Sequence, residues 1–114
     1  MFGFNKSSAP AFQNLTPAQF AEGLRQPGAV LVDVRRPDEF AAGHLPGAVN
    51  IPLADLRARM AGLPRDRTVL TYCGVGQRAY YAARALTQHG CTARLLPGGY
   101  ETYRALVGSG ALCG

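Results

Sequence analysis

A chain of 114 residues, 47% of them hydrophobic, fits one domain with a core that needs no disulfide staples. Its three cysteines, Cys73, Cys91 and Cys113, form no CxxC pair, which argues against a zinc or disulfide framework; the start MFGFNKSSAP lacks the apolar run of a signal peptide or membrane helix. The formal charge of +5 is spread along the chain with no basic stripe interleaved with aromatics, which argues against nucleic-acid binding and leaves a solvated basic surface or attraction of small anions.

Residues 1–11, with Gly3, Ser7, Ser8 and Pro10, read as a loose tail, residues 12–108 as the domain, and residues 109–114 as a second tail. Thr16-Pro17-Ala18-Gln19 has the form of a capping box, with Leu15 and Phe20 as a hydrophobic staple, and predicts a helix over 17–25. The run Ala29 to Val34, broken only by Asp33, predicts a strand buried on both faces. A short helix over 37–42 stops at Gly43, and a brief strand follows over 48–50. Leu53, Leu56 and Met60 mark a helix, Gly62 to Asp66 a turn, and residues 69–72 the next strand. Ala79, Ala82, Ala83 and Leu86 share one helical face, with Gly90 in the C′ position. A strand over 92–96, the turn Pro97-Gly98-Gly99 and a helix over 100–107 complete the chain. Strands alternating with helices predict an α/β fold, an open parallel sheet of about five strands with helices on both faces.

Cys73 closes the apolar run Thr68–Tyr72 and opens the Gly-rich segment before a helix. In an open α/β sheet, ligands bind where strands end and helices begin. Gly74 and Gly76 let the backbone curl with its N–H groups inward, and such a nest at a helix N-terminus favours the thiolate, the nucleophilic form. Arg78 adds a permanent positive charge. The bland alternative is a buried, inert cysteine in an ordinary βα turn; Arg78 and the two glycines directly after Cys73 favour the reactive one.

Three segments carry a resemblance. LVDVRRPDEFAAGHLPGAVNIPL (31–53), YCGVGQRAYYAARAL (72–86) and LLPGGYETYRAL (95–106) resemble, in order, the signature, active-site loop and C-terminal end of rhodanese-like domains. CGVGQRAY with the later GGYETY is most similar to rhodanese domains attached to flavin-dependent coenzyme A disulfide reductases. The resemblance implies a sulfurtransferase without cofactor or metal, in which Cys73 carries sulfur as a persulfide. Gly74, Val75, Gly76, Gln77 and Arg78 would cradle the sulfur, and Arg35 would line the mouth. It implies a small anionic sulfur donor such as thiosulfate or a low-molecular-weight persulfide, a thiol or cyanide as acceptor, and a sulfur-relay protein as a further candidate partner. No membrane is implied, and the expected setting is the reducing cytoplasm. Ala79 stands where relatives often carry Ser, and neutral Gly74 and Val75 stand where some thiosulfate users carry a charge.

Arg35 has two open readings, a contact at the site mouth or an ion pair that shapes the loops; Asp33 and Glu39 read as shaping residues. His44 belongs to the Gly-His pair of the signature, and a structural turn is favoured over a dyad with Cys73. His89 reads as a helix C-terminal residue, Cys91 as a small apolar packing residue, and Cys113 as a surface thiol in the terminal stretch. Two alternatives to sulfur transfer are a non-catalytic rhodanese-like binding or regulatory module, which the presence of Cys73 argues against, and a phosphatase or arsenate reductase of similar fold. The similar cell-cycle phosphatases have a loop one residue longer, and the shorter spacing from Cys73 to Arg78 suits a single sulfur better than a tetrahedral phosphate.

Overall fold

The computed structural model describes residues 12–74 and 77–108. Five strands, β1 (Gln13–Asn14), β2 (Val30–Asp33), β3 (Val49–Asn50), β4 (Thr68–Tyr72) and β5 (Thr92–Leu95), form one parallel sheet in the order β1-β5-β4-β2-β3. The connections carry helices α1 (Pro17–Leu24), α2 (Pro37–Ala42), α3 (Leu56–Arg59) and α4 (Gln77–Gln88), and α5 (Gly99–Gly108) follows β5. Parallel neighbours need such crossovers, and these put apolar cover on both faces of the sheet.

Alternation along the strands divides the core. Val32, Val69, Ala93 and Leu95 face the side of Leu56, Ala79, Ala82, Ala83 and Leu86, whereas Leu31, Leu70 and Tyr72 face the side of Phe20 and Tyr103. The alanines of α4 let it lie close on the sheet, and three of them, Ala79, Ala82 and Ala83, are fully buried. In the register of β2 and β4, Asp33 pairs with Tyr72, so the segments after both strands emerge side by side at the carboxyl edge.

The capping box at α1 is formed: Gln19 N–H donates to Thr16 Oγ1 at 3.1 Å and Thr16 N–H to Gln19 Oε1 at 2.9 Å. Leu15 and Phe20 belong to one apolar cluster. At the far end of α4, Gly90 has φ +101°. Its N–H reaches Thr87 O at 3.0 Å and Cys91 N–H reaches Leu86 O at 2.9 Å, a Schellman arrangement.

Two elements differ from expectation. Gln13–Asn14 pairs with Arg94 and Leu95 as an edge strand that no apolar run announced. The helix expected over Leu53–Met60 is an α-turn, Leu56–Arg59, between 3₁₀ turns at Leu53–Asp55 and Met60–Gly62. It is confined between Pro52 and the Gly62-Leu63-Pro64 turn, and both ends close with tighter bonds, Asp55 N–H to Pro52 O at 2.8 Å and Leu63 N–H to Met60 O at 2.9 Å. Other boundaries shift by a residue or so. The expected tails over 1–11 and 109–114, with Cys113, lie outside the described residues. Among the described residues no helix is long and apolar enough to cross a membrane.

Candidate active site

Cys73 follows β4 directly and is fully buried. Ala79 N–H, in the first turn of α4, donates to Cys73 Sγ at 3.3 Å. The thiol thus faces the N-terminal end of a helix of 12 residues, the positive end of its dipole. Ala79 contributes its backbone N–H, since its side chain has no hydroxyl to offer.

A second helix start holds the backbone of the same residue. Tyr100 N–H donates to Cys73 O at 2.6 Å. Gly99, with φ +75°, lies so close to the loop that a Cβ there would stand 2.3 Å from Gly74 O and 2.5 Å from Cys73 O. Only glycine combines that conformation with that approach. Gly74 itself needs no such freedom: it is not among the described glycines of positive φ, and a Cβ would meet only Arg78 Nη2, at 3.5 Å. Gly99 thus pins the start of the loop from the side of α5. Val75 and Gly76 lie outside the described residues, and Gln77 opens α4 as an exposed residue.

Arg78 is not an open charge. Its Nη1 and Nη2 donate to Glu39 Oε1 and Oε2 at 2.8 and 3.1 Å. Glu39 Oε1 also accepts Arg36 N–H at 2.8 Å, which caps α2. Arg78 thus holds the Glu39 carboxyl far down, at about 2. This clamp joins α2 to the loop helix across 39 positions of sequence.

Arg35 is buried, with 4% of its surface exposed, and its guanidinium grips Asp33: Nε to both carboxylate oxygens at 3.1 Å and Nη2 to Oδ2 at 2.8 Å. Nη2 also reaches Gly43 O at 2.6 Å, and the guanidinium carbon lies 4.2 Å from the centroid of the Tyr100 ring. Asn50 Nδ2 ties the backbone of the same turn, bonding Asp33 O and Arg35 O at 3.0 Å. The Asp33 pair is the loop-shaping role expected of Arg35, and the side chain also lines a cavity of about 370 Å³ with Glu39, Gly43, Tyr100 and Arg104. His44 stacks on Phe40 at 3.7 Å and its Nδ1 lies 2.8 Å from Phe40 O, so its ring is engaged in the turn. The Ala79 amide, the Gly99 pin and the Glu39–Arg78 clamp are contacts that no local sequence pattern marks; the sequence offers Glu39 only as a shaping residue.

Comparison with known proteins agrees with this architecture. The family described as the rhodanese-like domain matches residues 16–106. The Bacillus subtilis protein YqhL is 40% identical over 92 residues, covering 80% of this chain and 71% of that protein. Thiosulfate sulfurtransferase GlpE of Pseudomonas fluorescens SBW25 is 33% identical over 99 residues, covering 82% of this chain and 91% of that one. The crystal structure of reduced Bacillus anthracis CoADR-RHD superposes with a TM-score of 0.78 at 31% identity, covering 86% of this chain and 17% of that larger chain.

Proposed function

The chain belongs to the rhodanese-like domain family, and from that premise we propose that it is a sulfurtransferase that carries sulfane sulfur on Cys73. The observation that carries this proposal is the Ala79 N–H aimed at Cys73 Sγ from the start of α4. An amide aimed at sulfur there favours an anion, first the thiolate and then the persulfide. The burial of the thiol also shields a persulfide from bulk water.

The proposed reaction has two halves. The Cys73 thiolate attacks the outer sulfur of thiosulfate; a new S–S bond forms, the old one breaks, and sulfite leaves with its electron pair. With a low-molecular-weight persulfide as donor, the leaving group is the corresponding thiolate. In the second half, cyanide or an acceptor thiolate attacks the outer sulfur of the Cys73 persulfide, giving thiocyanate or a new persulfide and restoring the Cys73 thiolate. The chain's own groups supply binding and charge placement: Ala79 N–H on the sulfur, Tyr100 N–H on the Cys73 carbonyl, and the loop from Gly74 through Arg78 as the cradle. Arg35 shapes the mouth through Asp33 and Tyr100.

The test is intact mass after incubation with thiosulfate or glutathione persulfide. The expected result is a gain of one sulfur that cyanide removes as thiocyanate, with no turnover of an aryl phosphate. Aryl phosphate turnover without sulfur on Cys73 would overturn the proposal in favour of a phosphatase, and a protein inert to both would be a binding module.

A further inference from the structure

The chain carries a formal charge of +5, yet four arginines of the loop after β2, α4 and α5 are each matched by a carboxylate. Arg35 is held by Asp33, Arg36 by Asp38, Arg78 by Glu39 and Arg104 by Glu101, at 2.8, 3.1, 2.8 and 3.2 Å. Among these carboxylates Glu39 alone is shown gripping an arginine of the cysteine loop, and it also lines the cavity it shares with Arg35 and Tyr100, whose N–H bonds Cys73 O. Resting on the sulfurtransferase proposal, we propose that Glu39 is a specificity-determining residue: it cancels the charge of Arg78 and makes the Cys73 site favour singly charged sulfur donors over the thiosulfate dianion.

The physical basis is simple. A lone guanidinium attracts a donor in proportion to the donor's charge, so it favours a dianion. A carboxylate 2.8 Å away turns that single charge into a dipole, whose field falls off faster. The carboxylate also repels the dianion more than the monoanion. Glu39 stays ionised at any working pH, because Arg78 holds its carboxyl at about 2.

Two donors separate charge from the common sulfur-transfer step. Thiosulfate carries two negative charges and methanethiosulfonate carries one. With either, the Cys73 thiolate takes the outer sulfur, the donor's S–S bond breaks, and sulfite or methanesulfinate leaves with the electron pair. Glu39→Gln removes the charge while keeping an oxygen for Arg36 N–H and Arg78. Asp38→Asn removes a charge from the same helix at an exposed residue paired with Arg36 rather than Arg78.

The measurement is the second-order rate of sulfur loading onto Cys73, read by intact mass. Glu39→Gln should raise the thiosulfate-to-thiosulfonate rate ratio by roughly fivefold, the worth of a unit charge near ~4 Å in a water-like dielectric. The gain should shrink at high salt, and Asp38→Asn should leave the ratio unchanged. A second arm needs no transfer: thiosulfate should bind the Cys73→Ser/Glu39→Gln protein more tightly than Cys73→Ser, by calorimetry. An unchanged ratio, an equal loss of rate with both donors, or no tightening in the second arm would overturn the proposal. If neither donor loads Cys73, the sulfurtransferase proposal fails, and the binding arm alone then decides whether Glu39 sets the charge of the mouth.

Discussion

Cys73 and Cys91 lie at opposite ends of α4, both buried, at 0% and 5% exposure. At the N-terminal end, the Ala79 N–H donates to the Cys73 sulfur at 3.3 Å. At the C-terminal end, the Leu86 and Thr87 carbonyls bond the Cys91 and Gly90 amides, and burial pushes the Cys91 thiol up, with Arg65 opposing. Burial therefore does not distinguish the two cysteines. Helix polarity does: one end of the dipole stabilises an anion on sulfur and the other opposes it.

The largest test exchanges the two thiols. Cys73→Ser should abolish sulfur loading, while Cys91→Ser should retain most of it, with loading read by intact mass. Persistent loading of Cys73→Ser would remove the basis for the contrast.

The next test disturbs one end of the helix and spares the other. Gly99→Ala puts a side chain into a φ of +75° and a Cβ against two backbone oxygens, which have no flexible end to move aside. A cost of about 2–4 kcal/mol is expected, with a fall in Tm of roughly 10 °C or more. Sulfur loading should fall as well, because the Tyr100 amide that holds Cys73 O must shift. Gly74→Ala, within the loop itself, should change stability by less than about 1 kcal/mol, since its Cβ meets only an arginine nitrogen at ordinary contact distance. Equal losses in the two variants would show that the Gly99 contact does not hold the loop.

Acid should loosen the Cys73 end. The Glu39 carboxyl is lowered from an ordinary 4.5 to about 2, so its contribution to stability is full above the ordinary value. As pH falls from there through about 2, the unfolded chain takes up the proton first and the contribution is lost. Urea midpoints of the wild-type protein and Glu39→Gln should differ most at neutral pH and converge in acid. A constant gap down to the acid limit would mean that the Glu39–Arg78 pair contributes nothing to folding.

Much of this arrangement is visible in one dimension. Mainly apolar runs mark β2 and β4 because both faces of a central parallel strand are buried. The Thr16–Gln19 box and the alanine face of α4 are local patterns, and local patterns survive into the fold. Cys73 could be placed at a strand end because the apolar run stops there. What the chain hides is contact across sequence. β1 has two exposed residues and exists only because β5 offers an edge. The Glu39–Arg78 clamp joins α2 to α4, and Gly99 meets the loop of another strand; neither has a periodicity that could reveal it. Gly99 hides for a related reason: its positive φ and close approach serve Cys73 and Gly74, which lie far back in the chain.

The smallest expected effects are at Cys91, where the comparison can be made quantitative. Its thiol is enclosed among apolar neighbours and pushed above its ordinary value by burial. At neutral pH it should remain a neutral thiol, and alkylation by iodoacetamide in the folded protein should be slower than in urea and should rise only in alkali. Cys91→Ala leaves a small void, expected to cost about 1 kcal/mol by denaturant unfolding, without changing the rate at which Cys73 takes up sulfur. At Cys73 prior sulfur loading should block alkylation and cyanide should restore it. If Cys91 instead alkylates readily at neutral pH in the folded protein, or if its loss slows loading of Cys73, the two ends of α4 are coupled and the contrast drawn from helix polarity does not hold.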